Sequence, residues 1–271
     1  MLEAVDLAAA YGKTPVLHGL NARFAGGRLT ALVGPNGCGK STLLKAIMGF
    51  LPASSGEIRF DGQPIAGIGR RALARRVAYL PQECQCPDYM TLGELIELAG
   101  YARYSLSGGP SDKDRRLFAE ALEIVGLADK ARCQVNALSG GQRQRAWIAM
   151  VLAQDTDVIL MDEPVNHLDM KYQYAVLGLV RDLCERHGKT VIIVLHDLNL
   201  TLAFADDIVM LRDGRVAAAG PVATTVTPVS VERVFGLDTE IFTRQGRLVC
   251  VPRIEPRYAS GVRPGVVAVS A

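Results

Sequence analysis

The segment Gly34-Pro35-Asn36-Gly37-Cys38-Gly39-Lys40-Ser41-Thr42 has the composition and spacing of a phosphate-binding loop. Glycines at 34, 37 and 39 let the backbone turn successive N–H groups inward and approach phosphate oxygens closely, where a β-carbon would obstruct. Lys40 meets the β and γ phosphates of a nucleotide, and Ser41 offers a hydroxyl to Mg²⁺. Pro35, Asn36, Cys38 and Thr42 complete the cradle. A glycine-rich turn followed by a chance Lys-Ser is the plainer alternative. The flanks decide against it: Leu29-Thr-Ala-Leu-Val33 reads as a strand running in, and Ser41 to Met48 as a helix running out, which is the setting this loop requires.

A second anion-binding candidate is Leu138-Ser139-Gly140-Gly141-Gln142. Ser139 is placed to cap a helix, and the glycines after it expose N–H groups to an anion. An ordinary helix start fits Ser139 alone equally well; Gln142, followed by Arg143-Gln-Arg145, raises the functional reading. Val158-Ile-Leu-Met-Asp162-Glu163 is a buried strand ending in two carboxylates. Asp162 stands where a Mg²⁺-holding aspartate belongs. Glu163, one residue on, points away from the Asp and can face an attacking water as base or orienter. His196 follows the apolar run Val191 to Leu195, at a strand's carboxyl end where open α/β sheets bind ligands. Gln82 also ends a strand-like run, Val77 to Leu80, after Pro81, and its amide can touch a Mg²⁺ shell or a water. Tyr11 is an aromatic expected in a loop, fit to stack on a base or to be a plain turn residue. His18, His167 and His187 read as structural.

Bulk properties narrow the classes. At 271 residues the chain can bury one large core or two small ones, and its net charge of +2 gives no reason to expect a nucleic-acid partner. The arginines at 70, 71, 75 and 76 read as a solvated helix face. The longest apolar run, Ala146 to Ala153, falls far short of the roughly 18 residues a membrane span needs. The N-terminus lacks a secretion pattern, so any membrane role is expected to come through a partner. The six cysteines are scattered and read as reduced thiols, and Cys84-x-Cys86 lacks a second pair with zinc-like spacing.

The strand-like segments at Leu2 to Leu7, Leu29 to Val33 and Val77 to Leu80 fill the opening third, with Gly26-Gly27 as a turn. From Leu92 to Tyr104, Asp112 to Val125 and Ser139 to Ala153 the apolar residues recur at three and four, the helical period, with Ser107-Gly-Gly-Pro110 as a separator. Two apolar strands, Val158 to Met161 and Val191 to Leu195, then flank an amphipathic helix from Lys171 to His187, a βαβ unit with buried parallel strands. Ile208 to Leu211 adds a strand, with a turn at Asp213-Gly214. Beyond Pro252 the aperiodic sequence reads as a loose tail.

Together these motifs resemble the ATP-binding cassette (ABC) ATPases over about residues 2 to 236, in the family order. Residues 34 to 42 look like Walker A, Asp162 and Glu163 like Walker B and the catalytic glutamate, and Leu138 to Gln142 like the family signature. Gln82 is similar to the Q-loop glutamine, Asp169 in Asn166-His-Leu-Asp169 to the D-loop aspartate, His196 to the switch histidine, and Tyr11 to the residue that stacks adenine. The resemblance implies an α/β fold: a P-loop NTPase (RecA-like) core with a mixed sheet at residues 1–82 and 155–253, an inserted helical subdomain at 83–154, and a tail at 254–271. It implies ATP and Mg²⁺ as ligands. It also implies a head-to-tail dimer in which Ser139 and Gly141 of one copy close on ATP held by Lys40 of the other. Catalysis falls to Glu163, His196 and Gln82; nucleotide contacts extend to Gly140, Gln142 and Asp169; and Ser41, Gln82 and Asp162 hold the metal. The helical insertion is expected to receive a permease's coupling helix, with Gln82 as hinge, at the cytoplasmic face of the inner membrane. A periplasmic or lipoprotein binding protein would act indirectly.

Leu80-Pro-Gln82, Val194-Leu-His-Asp-Leu-Asn-Leu200, Asp206 to Gly214 and Asn166 to Gln173 are similar to the importers of iron chelates, haem and vitamin B12. Val165 departs from the threonine usual after Asp-Glu-Pro, losing a hydroxyl but no expected ligand. A family member acting on ribosomes or DNA is the alternative, but such proteins typically carry two cassettes or a very long insertion. A simple P-loop kinase or GTPase leaves Ser139 to Gln142 and His196 unexplained. Cys38, at a variable loop position, is expected to let bulky thiol reagents block ATP binding.

Overall fold

The computed structural model describes residues 1–104, 108–166 and 168–253. The separator's Ser107, His167 and the tail expected at 254–271 lie outside the described residues. β1 (Leu2–Tyr11) and β2 (Thr14–Phe24) form an antiparallel hairpin. Tyr11 is therefore the last residue of a strand, paired with Thr14, and not a loop residue. β3 (Leu29–Val33) is buried at every position and feeds the loop into α1 (Lys40–Ile47). β4 (Ala53–Phe60) returns to pair with β1, and β5 (Gln63–Pro64) pairs with β4. α2 (Arg70–Ala74) precedes β6 (Val77–Leu80). Three helices follow, α3 (Leu92–Glu97), α4 (Asp112–Ile124) and α5 (Gly140–Ala153), each opened by a capping box, at Thr91/Glu94, Ser111/Asp114 and Ser139/Gln142.

The chain then runs through β7 (Val158–Met161), α6 (Met170–His187), β8 (Thr190–Val194), α7 (Leu198–Phe204), β9 (Asp207–Arg212) and β10 (Arg215–Pro221). It closes with α8 (Val222–Thr225), α9 (Pro228–Phe235) and the hairpin β11 (Thr239–Arg244) and β12 (Arg247–Pro252). Gly188 ends α6 with φ +62°, the left-handed turn that glycine adopts without penalty.

The main sheet has six strands in the order β10-β9-β3-β8-β7-β6 among the described residues. Its strands are parallel except for β10, which lies antiparallel on β9 at the edge. A second sheet, β2-β1-β4-β5, is antiparallel. Neighbouring residues of the main sheet enter opposite cores. Ala31, Val33, Ile159, Met161 and Ile193 pack with the α3–α5 and α6 side. Leu32, Val158, Leu160, Ile192 and Val194 pack with α1 and the antiparallel sheet. Burial on both faces is why these strands read as unbroken apolar runs rather than alternating ones.

The topology aligns the carboxyl ends of β3, β8, β7 and β6 along one edge of the main sheet. The glycine loop, His196, Asp162-Glu163 and Gln82 leave from those ends. The parallel register β6–β7 sets Leu80 beside Met161, and Asp162 N–H donates to Leu80 O at 2.8 Å, which extends the ladder to the site.

The α3–α5 segment is braced by Arg103. Its Nε donates to Asp114 Oδ1 at 2.7 Å and its Nη2 to Ala153 O at 2.9 Å. Burial raises the Asp114 carboxyl, but hydrogen bonds from Ser111 and Arg103 outweigh it and hold the group below the usual carboxylate range. The arginine run is not merely a solvated face. Arg71 Nε and Arg75 Nε both donate to Ala102 O, at 2.9 and 2.8 Å, pinning the segment after α3 to α2. Arg76 bonds Asp61 and lies 3.8 Å over the Phe60 ring. A carbonyl satisfied by two guanidiniums cannot be anticipated from local charge, because Ala102 is distant in sequence.

Candidate functional site

The loop after β3 owes its path to glycine. Gly34 has φ +150° and Gly39 φ +105°. A β-carbon on Gly34 would stand 2.2 Å from Leu211 O and 2.8 Å from Cys38 Sγ. The loop is folded against β9 too tightly for any side chain there. Lys40 opens α1 with only 6% of its surface exposed. Its Nζ donates to Gly34 O at 2.8 Å and Pro35 O at 3.0 Å, so the ammonium is held within the loop.

Cys38 turns inward. It is 4% exposed, packs in the core with Leu32 and Leu43, and burial pushes its thiol up against the pull of Lys40. Only its backbone can serve an anion. The expected attack by bulky thiol reagents is corrected on that ground: thiolate is scarce and the sulfur is shielded.

Asp162 is 2% exposed at the end of β7. Ser41 Oγ donates to its Oδ1 at 3.1 Å, and the Tyr79 hydroxyl donates to its Oδ2 at 3.3 Å. Burial pushes the Asp162 carboxyl up, with the neighbouring Glu163 adding to the effect, while the two hydroxyls pull it back. Burial, then the charge of Asp162, keeps the Tyr79 hydroxyl protonated far above its usual range, so it is a donor.

Glu163 takes φ +54°, a left-handed conformation rare for a residue with a side chain. The turn swings its carboxylate away from Asp162 and out of the strand's alternation. There Gln82 Nε2 donates to Oε2 at 2.7 Å, Asn166 Nδ2 bonds the same oxygen, and His196 Nε2 lies 2.6 Å from Oε1. Three residues from three strand ends therefore converge on one carboxylate.

Lys40, Ser41 and the Glu163 cluster face a common cavity of about 610 Å³, and Asp162 sits behind Ser41 without lining it. It is lined by Asn36, Gly37, Gly39, Lys40, Ser41 and Thr42 on one wall and by Gln82, Glu163, Asn166 and His196 on the other. The size suits a nucleotide-scale ligand, and the polarity suits an anion with an attacking water. Asn166 and Tyr79 were not singled out by sequence. Asn166 carries a weak signal as a turn residue three positions after Glu163; Tyr79 carries none short of the β6–β7 register.

Residues 17–166 match the family model described as ABC transporter. The chain belongs to the ABC transporter family. It is 41% identical to the petrobactin import ATP-binding protein of Bacillus anthracis, over 93% of both chains. It is 37% identical to the iron(3+)-hydroxamate import ATP-binding protein of Bacillus subtilis, over 92% of this chain and 94% of that one. Its backbone is similar, with a TM-score of 0.73 and 29% identity, to a bacterial ABC transporter cassette solved as a dimer, covering 82% of this chain and 99% of that one.

The remaining motif residues of this ABC family member do not meet the cavity. Ser139, Gly140, Gly141 and Gln142 sit at the start of α5 and line none of it. Ser139 Oγ accepts from Gln142 N–H at 3.3 Å, and Gln142 Oε1 accepts from Ser139 N–H at 3.0 Å. This cap occupies those two amides and leaves the Gly140 and Gly141 amides outside it, among the helix-start donors with no intrahelical partner. Ser139 and Gly140 are exposed. Gly141 is overlain by the Tyr172 ring, which a β-carbon would approach to 3.1 Å. Asp169 precedes α6 and accepts from Tyr172 N–H at 2.8 Å through its carbonyl, with no capping bond from its side chain. Tyr11 stands 46% exposed with Lys45 Nζ 6.0 Å from its ring centre, beside α1 but outside the cavity lining.

Proposed function

We propose that the chain is the ATP-hydrolysing subunit of a bacterial importer. ATP binding and hydrolysis are coupled to uptake of an iron siderophore or a related metal chelate, such as haem or cobalamin, through a separate permease. The observation that carries this reading is the division of the anion-binding groups. The glycine loop and the Glu163 cluster share one cavity, while Ser139 to Gln142 open α5 and line none of it. A second copy placed head to tail supplies what this wall lacks. Residues 1–253 form one cassette, with the core at 1–82 and 155–253 and the helical subdomain at 83–154.

In that cassette Lys40 and the loop amides hold the β and γ phosphates of ATP, and Tyr11 stacks on the base. Ser139, Gly140, Gly141 and Gln142 of the second copy meet the γ phosphate, with Asp169 at the copy-to-copy seam. The oxygen donors Ser41 Oγ and Asp162 Oδ1 face each other at 3.1 Å, a hard-ligand pair that fits Mg²⁺, and Gln82 lines the same cavity as Ser41. The cation, when bound with ATP, neutralises phosphate charge. Glu163 takes the proton of the attacking water at its carboxylate. His196 and Gln82 orient that carboxylate and sense the γ phosphate from the β8 and β6 strand ends.

Cargo class follows the relatives, a petrobactin import and an iron(3+)-hydroxamate import ATP-binding protein. Among the described residues no helix is long and apolar enough to cross a membrane, so attachment to the cytoplasmic face comes through the permease. The helical subdomain, with Gln82 as hinge, receives it, and a periplasmic or lipoprotein binding protein delivers cargo on the far side. Glu163→Gln preserves ATP binding, lowers hydrolysis about a hundredfold or more, and accumulates an ATP-bound dimer on a sizing column. Turnover at the normal rate would remove Glu163 as the base. Purification from membranes with a permease attached tests the transport role; recovery with ribosomes or DNA instead would reject it.

A further inference from the structure

Tyr79 belongs to no motif, yet it touches the buried carboxylate on which the cation site depends. Along β6 the side chains alternate: Ala78 and Leu80 enter the core beneath α5, while Val77 and the ring of Tyr79 pack on the α1 side. That places Tyr79 on the face from which Ser41 projects. The Phe50 ring meets the Tyr79 ring edge-on, with centroids 5.9 Å apart and planes at 71°, a geometry that favours one ring orientation. So held, the hydroxyl donates to Asp162 Oδ2 at 3.3 Å, while Ser41 Oγ donates to Oδ1 at 3.1 Å. The carboxylate is fixed at both oxygens by donors from different elements. Only one of those donors, Ser41, belongs to the phosphate-binding loop and serves the cation itself.

We propose that Tyr79 is a positioning residue for the divalent cation that accompanies ATP: its hydroxyl holds Asp162 Oδ2 so that Oδ1 stays turned toward Ser41. The proposal rests on the reading of Asp162 and Ser41 as cation-holding residues. Partners that orient metal-binding carboxylates typically affect metal affinity by about 10- to 100-fold when removed. Tyr79→Phe deletes the hydroxyl and keeps the ring against Phe50.

The test uses the full-length subunit and measures ATP affinity by calorimetry with Mg²⁺ and with chelator, together with Mn²⁺ titration by electron paramagnetic resonance in the presence of ATP. In Tyr79→Phe, affinity without metal stays at the parent value. The gain in ATP affinity conferred by Mg²⁺ shrinks about tenfold, and Mn²⁺ binding weakens in parallel. An unchanged Mg²⁺ gain overturns the proposal. Equal weakening with and without metal also overturns it, because the hydroxyl then serves only the fold. Asp162→Asn separates the two levels: if that variant keeps the full Mg²⁺ gain, the assignment of Asp162 has failed, and the proposal falls with it.

Discussion

The two regions proposed to bind the nucleotide's phosphates are built to different degrees of completion. At the β3–α1 loop the charged groups are already committed. Lys40 is buried and bonded to two carbonyls, Asp162 is held at both oxygens, and Glu163 is met by three residues. At the start of α5 the chain supplies only a cap. Ser139 and Gln142 satisfy each other, and the amides of exposed Gly140 and half-buried Gly141 take no part in that cap. Preorganisation on one side, and a bare helix start on the other, is what a pocket completed by a second polypeptide requires. Charge held in advance costs no reorganisation when the phosphate arrives. A helix N-terminus offers partial positive charge only within its first turn, so it must be brought close to act.

The largest effects should separate the two regions. Lys40→Ala, which would remove the proposed charge-assisted contact to phosphate, should weaken ATP binding by the isolated subunit roughly 10- to 100-fold. On the proposed shared pocket, Ser139→Glu places a negative charge where the phosphate held by the other copy would sit. It leaves ATP binding by the isolated subunit within error of the parent, yet lowers hydrolysis with the permease present about a hundredfold. Nucleotide titration of the subunit and steady-state hydrolysis by the assembled transporter check the pair. If Ser139→Glu weakens binding in the isolated subunit, the two regions are not independent. Normal hydrolysis by the assembled variant would end the idea of a shared pocket.

The same contrast explains what could be read from the sequence. The strands Leu29–Val33, Val77–Leu80 and Val158–Met161 were legible to the residue, because burial on both faces leaves unbroken apolar runs. β4 was not: it opens on exposed Ala53-Ser-Ser-Gly, and its strand state depends on pairing with β1. β2 was missed because its pairing with β1 shifts register between Ala4 and Leu7 and again beyond, breaking the alternation. The helix expected from Leu92 to Tyr104 ends at Glu97, where a short 3₁₀ turn at Leu98–Gly100 lets the Tyr104 hydroxyl donate to Glu97 O at 2.6 Å. At the site, residues with a backbone reason for their type, such as Gly34, were visible. Asn166 and Tyr79 were not, because their partners are set by a left-handed turn and by strand register.

A smaller effect sharpens the description of the α5 start. A β-carbon at Gly140 meets open space, whereas one at Gly141 meets the Tyr172 ring at 3.1 Å. In the isolated subunit Gly140→Ala should stabilise by up to about 1 kcal/mol, the usual gain of alanine over glycine in a helix. Gly141→Ala should forfeit most of that gain because the ring must move. Combining Gly141→Ala with Tyr172→Ala should recover it, with a coupling of about 0.5–1 kcal/mol in a double-mutant cycle of denaturant midpoints. A coupling near zero would mean that Tyr172 does not rest on Gly141 in solution, and that the α5 start is freer than its contacts imply.

The smallest signal comes from the thiols, and it reads the two regions directly. Cys133 is exposed in the segment between α4 and α5, whereas Cys38 is buried in the phosphate-binding loop. Cys84 is pushed up to about 11 and Cys184 to about 12 by burial, and burial raises Cys38 and Cys250 as well. Thiolate is the reactive form, so at pH 8 a thiol near 11 carries roughly a hundredfold less of it than an ordinary one. Alkylation followed by peptide mass spectrometry should find exposed Cys133 modified first, with Cys38, shielded and raised by burial, lagging at least about tenfold. Early labelling should not disturb ATP binding, and Cys38→Ser should not change that. Equal rates at Cys38 and Cys133 would show the loop opening often enough to expose its sulfur, and the firm side of the pocket would then be as loose as the other.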